Sequence, residues 1–401
     1  MRFGLIVPRL LMLVVFVFAG CGGGEPADPG TDEIKIGAIF DLTGPTADIG
    51  TDYADAVRAW VDWTNGRGGI GGRQIDLIFQ DYAYQVDRAE QLYSQFVQEG
   101  AIVFMGWGTG DTEALVPRVA TDRIPFSSAS LSHRLGDPEE APFNFLVATS
   151  YSQQFLVSLD WIAADHASGG GSGRPGVALL HNASPFGLSP WTQLGEDYAA
   201  QAGIDVRLFE MPRGATDFTA EMIRIRQSEA GYIVIQNTSA PAAVAVRNAR
   251  SLGLDATIVC LNWCANALLV DLAGDSSEGV VGGMPYPPPW VDAPGLADLK
   301  QHLAARGDDV SDRTTAYTQG WFTSEIFGEG IRRALESGEP LTGESIRAAL
   351  EEITSFDTGG VTVPITFSTG DHRGANGMRM FRVENGAWTP ITDFMTAPEV
   401  R

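Results

Sequence analysis

From Glu33 onward, short apolar runs alternate with segments of helical period, the pattern of a parallel sheet covered by helices. Ile34 to Phe40 is predicted as the first strand. Tyr53, Ala56, Val57, Trp60 and Val61 then share one face of a helix that stops at Asn65-Gly66. A glycine-rich turn, Gly68-Gly69-Ile70-Gly71-Gly72-Arg73, returns the chain to a strand from Gln74 to Gln80. Asp87 is placed to cap a helix with Ala89, Leu92, Tyr93, Phe96 and Val97 on one face, followed by the strand Ala101 to Met105. A helix from about Thr112 and a short strand at Ile124 to Phe126 nearly complete one doubly wound lobe by Ser150.

A second series repeats the scheme. Ser152 is read as the cap of a helix carrying Phe155, Leu156, Leu159, Ile162 and Ala163, and Gly169 to Gly173 as a surface loop. Strands are predicted at Val177 to Leu180, Val206 to Phe209, Tyr232 to Ile235 and Thr257 to Val259. Helices alternate with them at Leu188 to Gln201, Phe218 to Glu229 and Ala240 to Leu252. Pro285, Pro287, Pro288 and Pro289 can continue neither a helix nor a central strand, so they mark a crossing segment. Helices follow at about Leu296 to Ala305, Tyr317 to Glu336 and Gly343 to Ile353. Two final strands, Met378 to Val383 and Ala387 to Ile391, are joined by the hairpin signal Asn385-Gly386.

Ahead of this body, Met1 to Cys21 has a basic start, an apolar run and small residues before a cysteine, the layout of a secretory signal rather than a membrane span. Ala19-Gly20-Cys21 resembles the lipobox of bacterial lipoproteins. It implies residues 1–20 as signal peptide, a lipid anchor on Cys21, and residues 21–32 as a flexible tether. The remaining 369 or so of 401 residues fit about two domains by length, and 44% apolar composition is ample for burial. A net charge of -23 argues against nucleic acid and anionic lipid surfaces as partners. In an oxidising compartment Cys260 and Cys264 are either a local disulfide or two small buried thiols. The five histidines lack ligand spacing and no serine stands in a nucleophile elbow, so the sequence indicates neither a metal site, nor a cofactor, nor an enzyme.

Over the mature chain the order of motifs resembles the type I periplasmic solute-binding proteins of branched-chain amino-acid ABC transporters. The residues that carry it are Ile34 to Phe40 with Leu42-Thr43-Gly44-Pro45, the Asn65 to Arg73 turn, and Ser150, Ser152, Gln153 and Gln154. Asp217-Phe218-Thr219 and Gly274 with Glu278-Gly279-Val280 complete it; Tyr151 and Phe155 depart from the pattern. The resemblance implies an α/β fold of two doubly wound, Rossmann-like lobes joined by a three-stranded hinge. Residues 33–151 and 285–354 would form lobe I, and 152–284 and 355–401 lobe II. It further implies a monomer held at the periplasm or the outer face of the cytoplasmic membrane by its lipid. Such a protein would capture a small carboxylate between its lobes and pass it to an ABC permease; a sensing module of the same fold is the alternative.

The chemistry concentrates after strands, where helix N-termini point. Gly106-Trp107-Gly108-Thr109-Gly110-Asp111-Thr112 reads as a carboxylate cradle, with the Thr109 hydroxyl and Gly110 amide as donors; a plain tight turn or a dinucleotide fingerprint are the competing readings. Ala129 and Ser130, in the run Ser127-Ser128-Ala129-Ser130, occupy the equivalent next loop. The resemblance places Phe186 as an aromatic against the ligand, and Thr238 and Asn262 at further ligand contacts. Asn262 stands where leucine-type binders carry an acid for the ligand's ammonium, so either Asp111 supplies that charge or the ligand has no ammonium. Trp107, Trp263, Phe186, Tyr82 and Tyr84 make an aromatic or other bulky apolar carboxylate an alternative to an aliphatic amino acid.

Overall fold

Two sheets organise the chain, one wholly parallel and one mixed. A computed structural model describes Met1 and residues 33–400, so the signal, Cys21 and tether expectations lie outside the described residues. The first sheet has strands β1 (Ile34–Phe40), β2 (Ile75–Asp81), β3 (Val103–Gly106) and β4 (Phe126–Ser128), in the order β2-β1-β3-β4 and all parallel. The second contains β5 (Gly176–Asn182), β6 (Asp205–Met211), β7 (Tyr232–Gln236), β8 (Thr257–Cys260) and β9 (Val281–Met284). It is extended by β10 (Gly377–Glu384), β11 (Ala387–Pro390) and β12 (Met395–Thr396). Its order is β11-β10-β9-β8-β7-β5-β6, parallel from β6 to β9 and antiparallel through the C-terminal hairpin, with β12 pairing β10. The α/β two-lobe architecture is therefore the one expected, each sheet reversing its strand order next to its first strand.

The lobes have separate cores. The first is built from the faces of β1, β3 and the helices Ala47–Gly66 and Thr315–Glu336, around Phe40, Phe104, Phe126 and Trp321. The second lobe buries one apolar set on each face of its sheet. Burial on both faces explains why its strands read as continuous apolar runs. Val361, Ile365, Phe367 and Ala375 pack into the first core, so residues 355–376 belong to lobe I. The third crossover falls at β10, not at 354 as the sequence suggested: Phe356 and Ile365 pair with each other, and Leu146 with Arg373, before the chain leaves.

Other departures have local causes. Ser150, not Ser152, caps the crossover helix Tyr151–Ser168, by a capping box in which Ser150 Oγ accepts from Gln153 N–H and the Gln153 side chain accepts from Ser150 N–H. The helix expected from Leu188 starts at Pro185 and is broken by Pro190 into a short helix, a π-turn at Trp191–Gly195 and the helix Glu196–Ala202. Strand β9 went unpredicted because Gly282-Gly283 weakens its pattern. At Gly282 a Cβ would stand 2.7 Å from Ala265 and 2.8 Å from Trp388, so only glycine lets that contact form. Cys260 and Cys264 are free, buried thiols, which sets aside the disulfide alternative. Cys264 Sγ lies within hydrogen-bond reach of the Ile235 and Leu261 carbonyls.

Candidate functional site

Lobe I presents three loops to lobe II from the carboxyl ends of its strands. After β1, the buried Asp41 carboxylate accepts from Gly44 N–H at 2.7 Å and from Thr46 N–H and Oγ1–H at 2.9 and 2.6 Å, folding the loop so that Thr46 faces the cleft. Thr46 Oγ1 in turn accepts from Trp107 Nε1–H at 2.7 Å, which fixes that indole. After β2, Ala83 and Tyr84 hold left-handed backbone (φ 52° and 57°), supported by Ala83 N–H donating to Asp81. Two successive non-glycine residues there store strain that brings Tyr84 to the cleft.

After β3 the helix starts at Thr109, three residues earlier than read from sequence. Gly108 must be glycine: a Cβ would stand 2.2 Å from Asp111 Oδ1 and 2.7 Å from the Tyr82 hydroxyl. Tyr82 donates to Asp111 Oδ1 at 3.0 Å and accepts from Gly108 N–H at 3.2 Å. Thr109 Oγ1 and Ser130 Oγ are 2.7 Å apart, joining the loop after β3 to the one after β4 behind it. Desolvation raises the Asp111 carboxyl to about 6, partly countered by hydrogen bonds from its own helix amides and from Tyr82.

Lobe II closes the other side. Ser184 caps the short helix Pro185–Pro190 and accepts from Gly187 N–H, setting Phe186 edge-on to Tyr151 at 5.4 Å. The loop after β8 delivers Trp263, whose ring lies 5.2 Å from Trp107 across the lobes. Its Nε1–H donates to the Tyr151 hydroxyl at 2.7 Å. Burial pushes the Tyr151 phenol up to about 12, so it is a neutral donor and acceptor at any physiological pH.

These groups enclose an inner cavity of about 20 Å³, lined by Thr46, Ile49, Tyr84, Trp107, Gly108, Thr109, Tyr151, Phe186, Thr238 and Trp263. No charged side chain lines it. Trp107, Thr109, Phe186 and Thr238 thus come together as expected. Gly110, Asp111, Ala129, Ser130 and Asn262 do not reach it. Gly110 lies in the first turn of the helix, and Asp111 turns back onto Tyr82. Ser130 backs Thr109, and Ala129 C=O accepts from Gln319 Nε2–H. Asn262 lines a separate small cavity with Pro285, Tyr286 and Gln319. Sequence reasoning missed Thr46, Ile49 and Tyr151 as lining residues; the Gly44-Pro45 turn was the available signal for the first two.

A family model described as periplasmic binding protein matches residues 33–387. The chain belongs to that family, as a type I solute-binding protein of the branched-chain amino-acid ABC transporter group. It is similar to the leucine-, isoleucine-, valine-, threonine- and alanine-binding protein of Pseudomonas aeruginosa, 22% identical over 82% of this chain and 86% of that one. Among solved structures, a branched-chain amino-acid ABC transporter protein from Thermus thermophilus with bound valine superposes with TM-score 0.85 at 28% identity, covering 92% of this chain and 97% of that one. A fatty acid ABC transporter substrate-binding protein from Thermomonospora curvata shares the fold with TM-score 0.81 at 19% identity, covering 93% and 95%. Among the described residues no helix is long and apolar enough to cross a membrane, and no group of His, Cys, Asp or Glu is placed to hold a metal.

Proposed function

We propose that this chain is the extracytoplasmic component of an ABC importer that captures a small carboxylate with an apolar body and no ammonium group, by closure of its lobes. The observation that carries this reading is the composition of the inner cavity: indole, phenol and phenyl walls from both lobes, the Thr109 hydroxyl, and no acid. The carboxylate lies toward Thr109 at the start of the helix Thr109–Asp122, where hydroxyl and amide dipoles favour an anion. The apolar body lies between Tyr84 and Phe186. An ammonium in this cavity would lose its water at a penalty of several kcal/mol, and Asp48, whose carboxylate takes the Ala240 amide and the Thr238 hydroxyl, does not line the cavity to pair it. Asp111 does not relieve it, since its carboxylate faces Tyr82.

Contacts from both lobes make ligand binding and closure one event. Turning a mostly open population into a mostly closed one takes about 5.5 kcal/mol of preference for the closed form. Burying an aromatic body and pairing one carboxylate together supply that order. The test is a thermal-shift and calorimetric comparison of phenylacetate with valine and leucine. Phenylacetate is expected to raise the melting temperature by mass action, and the amino acids to raise it little. Thr109→Ala is expected to weaken phenylacetate binding about tenfold, and to lower unliganded melting as well, because the buried Ser130 hydroxyl loses its Thr109 partner. Tight valine binding with no response to phenylacetate refutes the ligand class.

A further inference from the structure

The inner cavity, at about 20 Å³, has room for one water-sized group, the end of a carboxylate, and none for the apolar body attached to it. It opens into a vestibule of about 390 Å³, and Thr46, Tyr84, Phe186 and Thr238 line both. The vestibule alone has the size of a small-molecule site. Its far wall is the lobe II segment Pro212 to Phe218, which follows β6, together with the Asn182 and Asn237 amides.

Arg213 is the one charged side chain lining either compartment among the described residues. Its Nε–H donates to Ala183 C=O at 3.0 Å, which aims the guanidinium along the vestibule wall. Its two terminal nitrogens make no hydrogen bond or ion pair among the described residues, in a protein of net charge -23. The guanidinium also acts on the Tyr84 phenol of the opposite lobe, favouring its ionised form against the burial that holds it neutral. Beside it, Asn237 Nδ2–H donates only to the Met211 thioether at 3.3 Å, a weak acceptor, so a better acceptor in the vestibule gains that bond as well.

A guanidinium with free terminal nitrogens and an amide donor face a space whose lining includes Pro45, Tyr84, Phe186, Phe218 and Val244 beside Thr46, Thr216 and Thr238, which describes an acid-binding end on a largely apolar groove. The geometry points to the vestibule as a second ligand compartment in which Arg213 takes an acidic substituent, so that the captured solute is an elongated, apolar-bodied dicarboxylate. This rests on the reading of the inner cavity as the site of the first carboxylate. One acid lies toward Thr109, the body passes between Tyr84 and Phe186, and the second acid reaches Arg213. Closure then buries the body while the outer acid keeps its charge, since Arg213 is exposed.

The experiment is calorimetric titration of the full chain with phenylacetate and with 1,4-phenylenediacetate, comparing the native protein with Arg213→Gln. The diacid is expected to bind the native protein at least about tenfold more tightly than the monoacid, and Arg213→Gln to bring the two within about threefold. Arg213→Lys, which keeps the charge without the fork, is expected to fall between. Unchanged melting of the unliganded variants excludes misfolding, because Arg213 makes one exposed backbone contact. If both acids bind and Arg213→Gln leaves their ratio unchanged, the second compartment is refuted while the first carboxylate site stands. If neither acid binds and an amino acid does, the underlying site reading has failed and this inference falls with it.

Discussion

Asp111 shows what a single buried group does to the site. Its carboxylate is 2% exposed, one oxygen takes the Tyr82 hydroxyl, and the other has no hydrogen-bond partner among the described residues. Desolvation raises the folded-state pKa from 3.8 to about 6. For an acid with a raised folded pKa, the stabilising contribution is whole below about 3.8 and is lost as pH rises to about 6. Asp111→Asn mimics the protonated form, so it is expected to match the native protein near pH 4 and to exceed it at pH 7.5 by about 2 kcal/mol. Urea unfolding at the two pH values measures the difference, and a variant less stable at pH 7.5 contradicts the account. The same residue shows how far the sequence is legible. Trp107 and Thr109 were readable because they follow an apolar strand, and strand ends are positioned by periodicity; Phe186 and Thr238 were readable only through the resemblance to the family. Asp111 was misplaced because the direction of its side chain depends on the helix starting at Thr109 and on a tyrosine 29 positions earlier. Thr46 reaches the cleft through an aspartate clasp, which leaves no periodic trace, whereas Tyr84, named from sequence among the aromatics, arrives there by a left-handed turn.

Among elements, the crossover helix Tyr151–Ser168 bears the most on the cleft, since its first residue, Tyr151, receives the Trp263 indole and its body packs in lobe II. Its low amphipathicity hid its start from periodicity: it is buried on most sides near its N-terminus, from Tyr151 to Leu159. What fixes the start is the Ser150 and Gln153 capping box, and Ser150 Oγ also meets His133 Nδ1 at 2.9 Å. Ser150→Ala removes the acceptor for Gln153 N–H and is expected to cost about 1 kcal/mol. The loss is read as a shift in urea midpoint at constant slope. Because Tyr151 stands directly after the cap, the same variant is expected to weaken ligand binding beyond its effect on folding. A helix whose stability is unaltered would show that packing alone sets its register.

Across the whole molecule, closure is governed by contacts that exist only when the lobes meet. Trp107 packs on Trp263, and Asp48, in the first turn of the lobe I helix Ala47–Gly66, accepts from Ala240 N–H of lobe II at 3.2 Å. That amide belongs to the first turn of the helix Ser239–Ser251, so the carboxylate meets a positive dipole end, a favourable contact of up to about 1 kcal/mol. Burial in the closed cleft opposes it and dominates: the Asp48 pKa is raised, with the Ala240 amide, the Thr238 hydroxyl and its own helix amides only partly compensating. Opening returns the carboxylate to water and to its ordinary value of 3.8. The closed state therefore binds the proton more tightly, so its advantage is greatest below the ordinary value and is lost as pH rises through the raised one. Small-angle scattering of unliganded protein is expected to show a larger radius of gyration at pH 7.5 than near the ordinary value of 3.8. Asp48→Asn keeps an acceptor for Ala240 N–H without the desolvated charge, and is expected to stay compact at both. A native radius that does not change with pH, or an Asn variant that still expands, would mean that the tryptophan contact and not the carboxylate sets the open and closed populations.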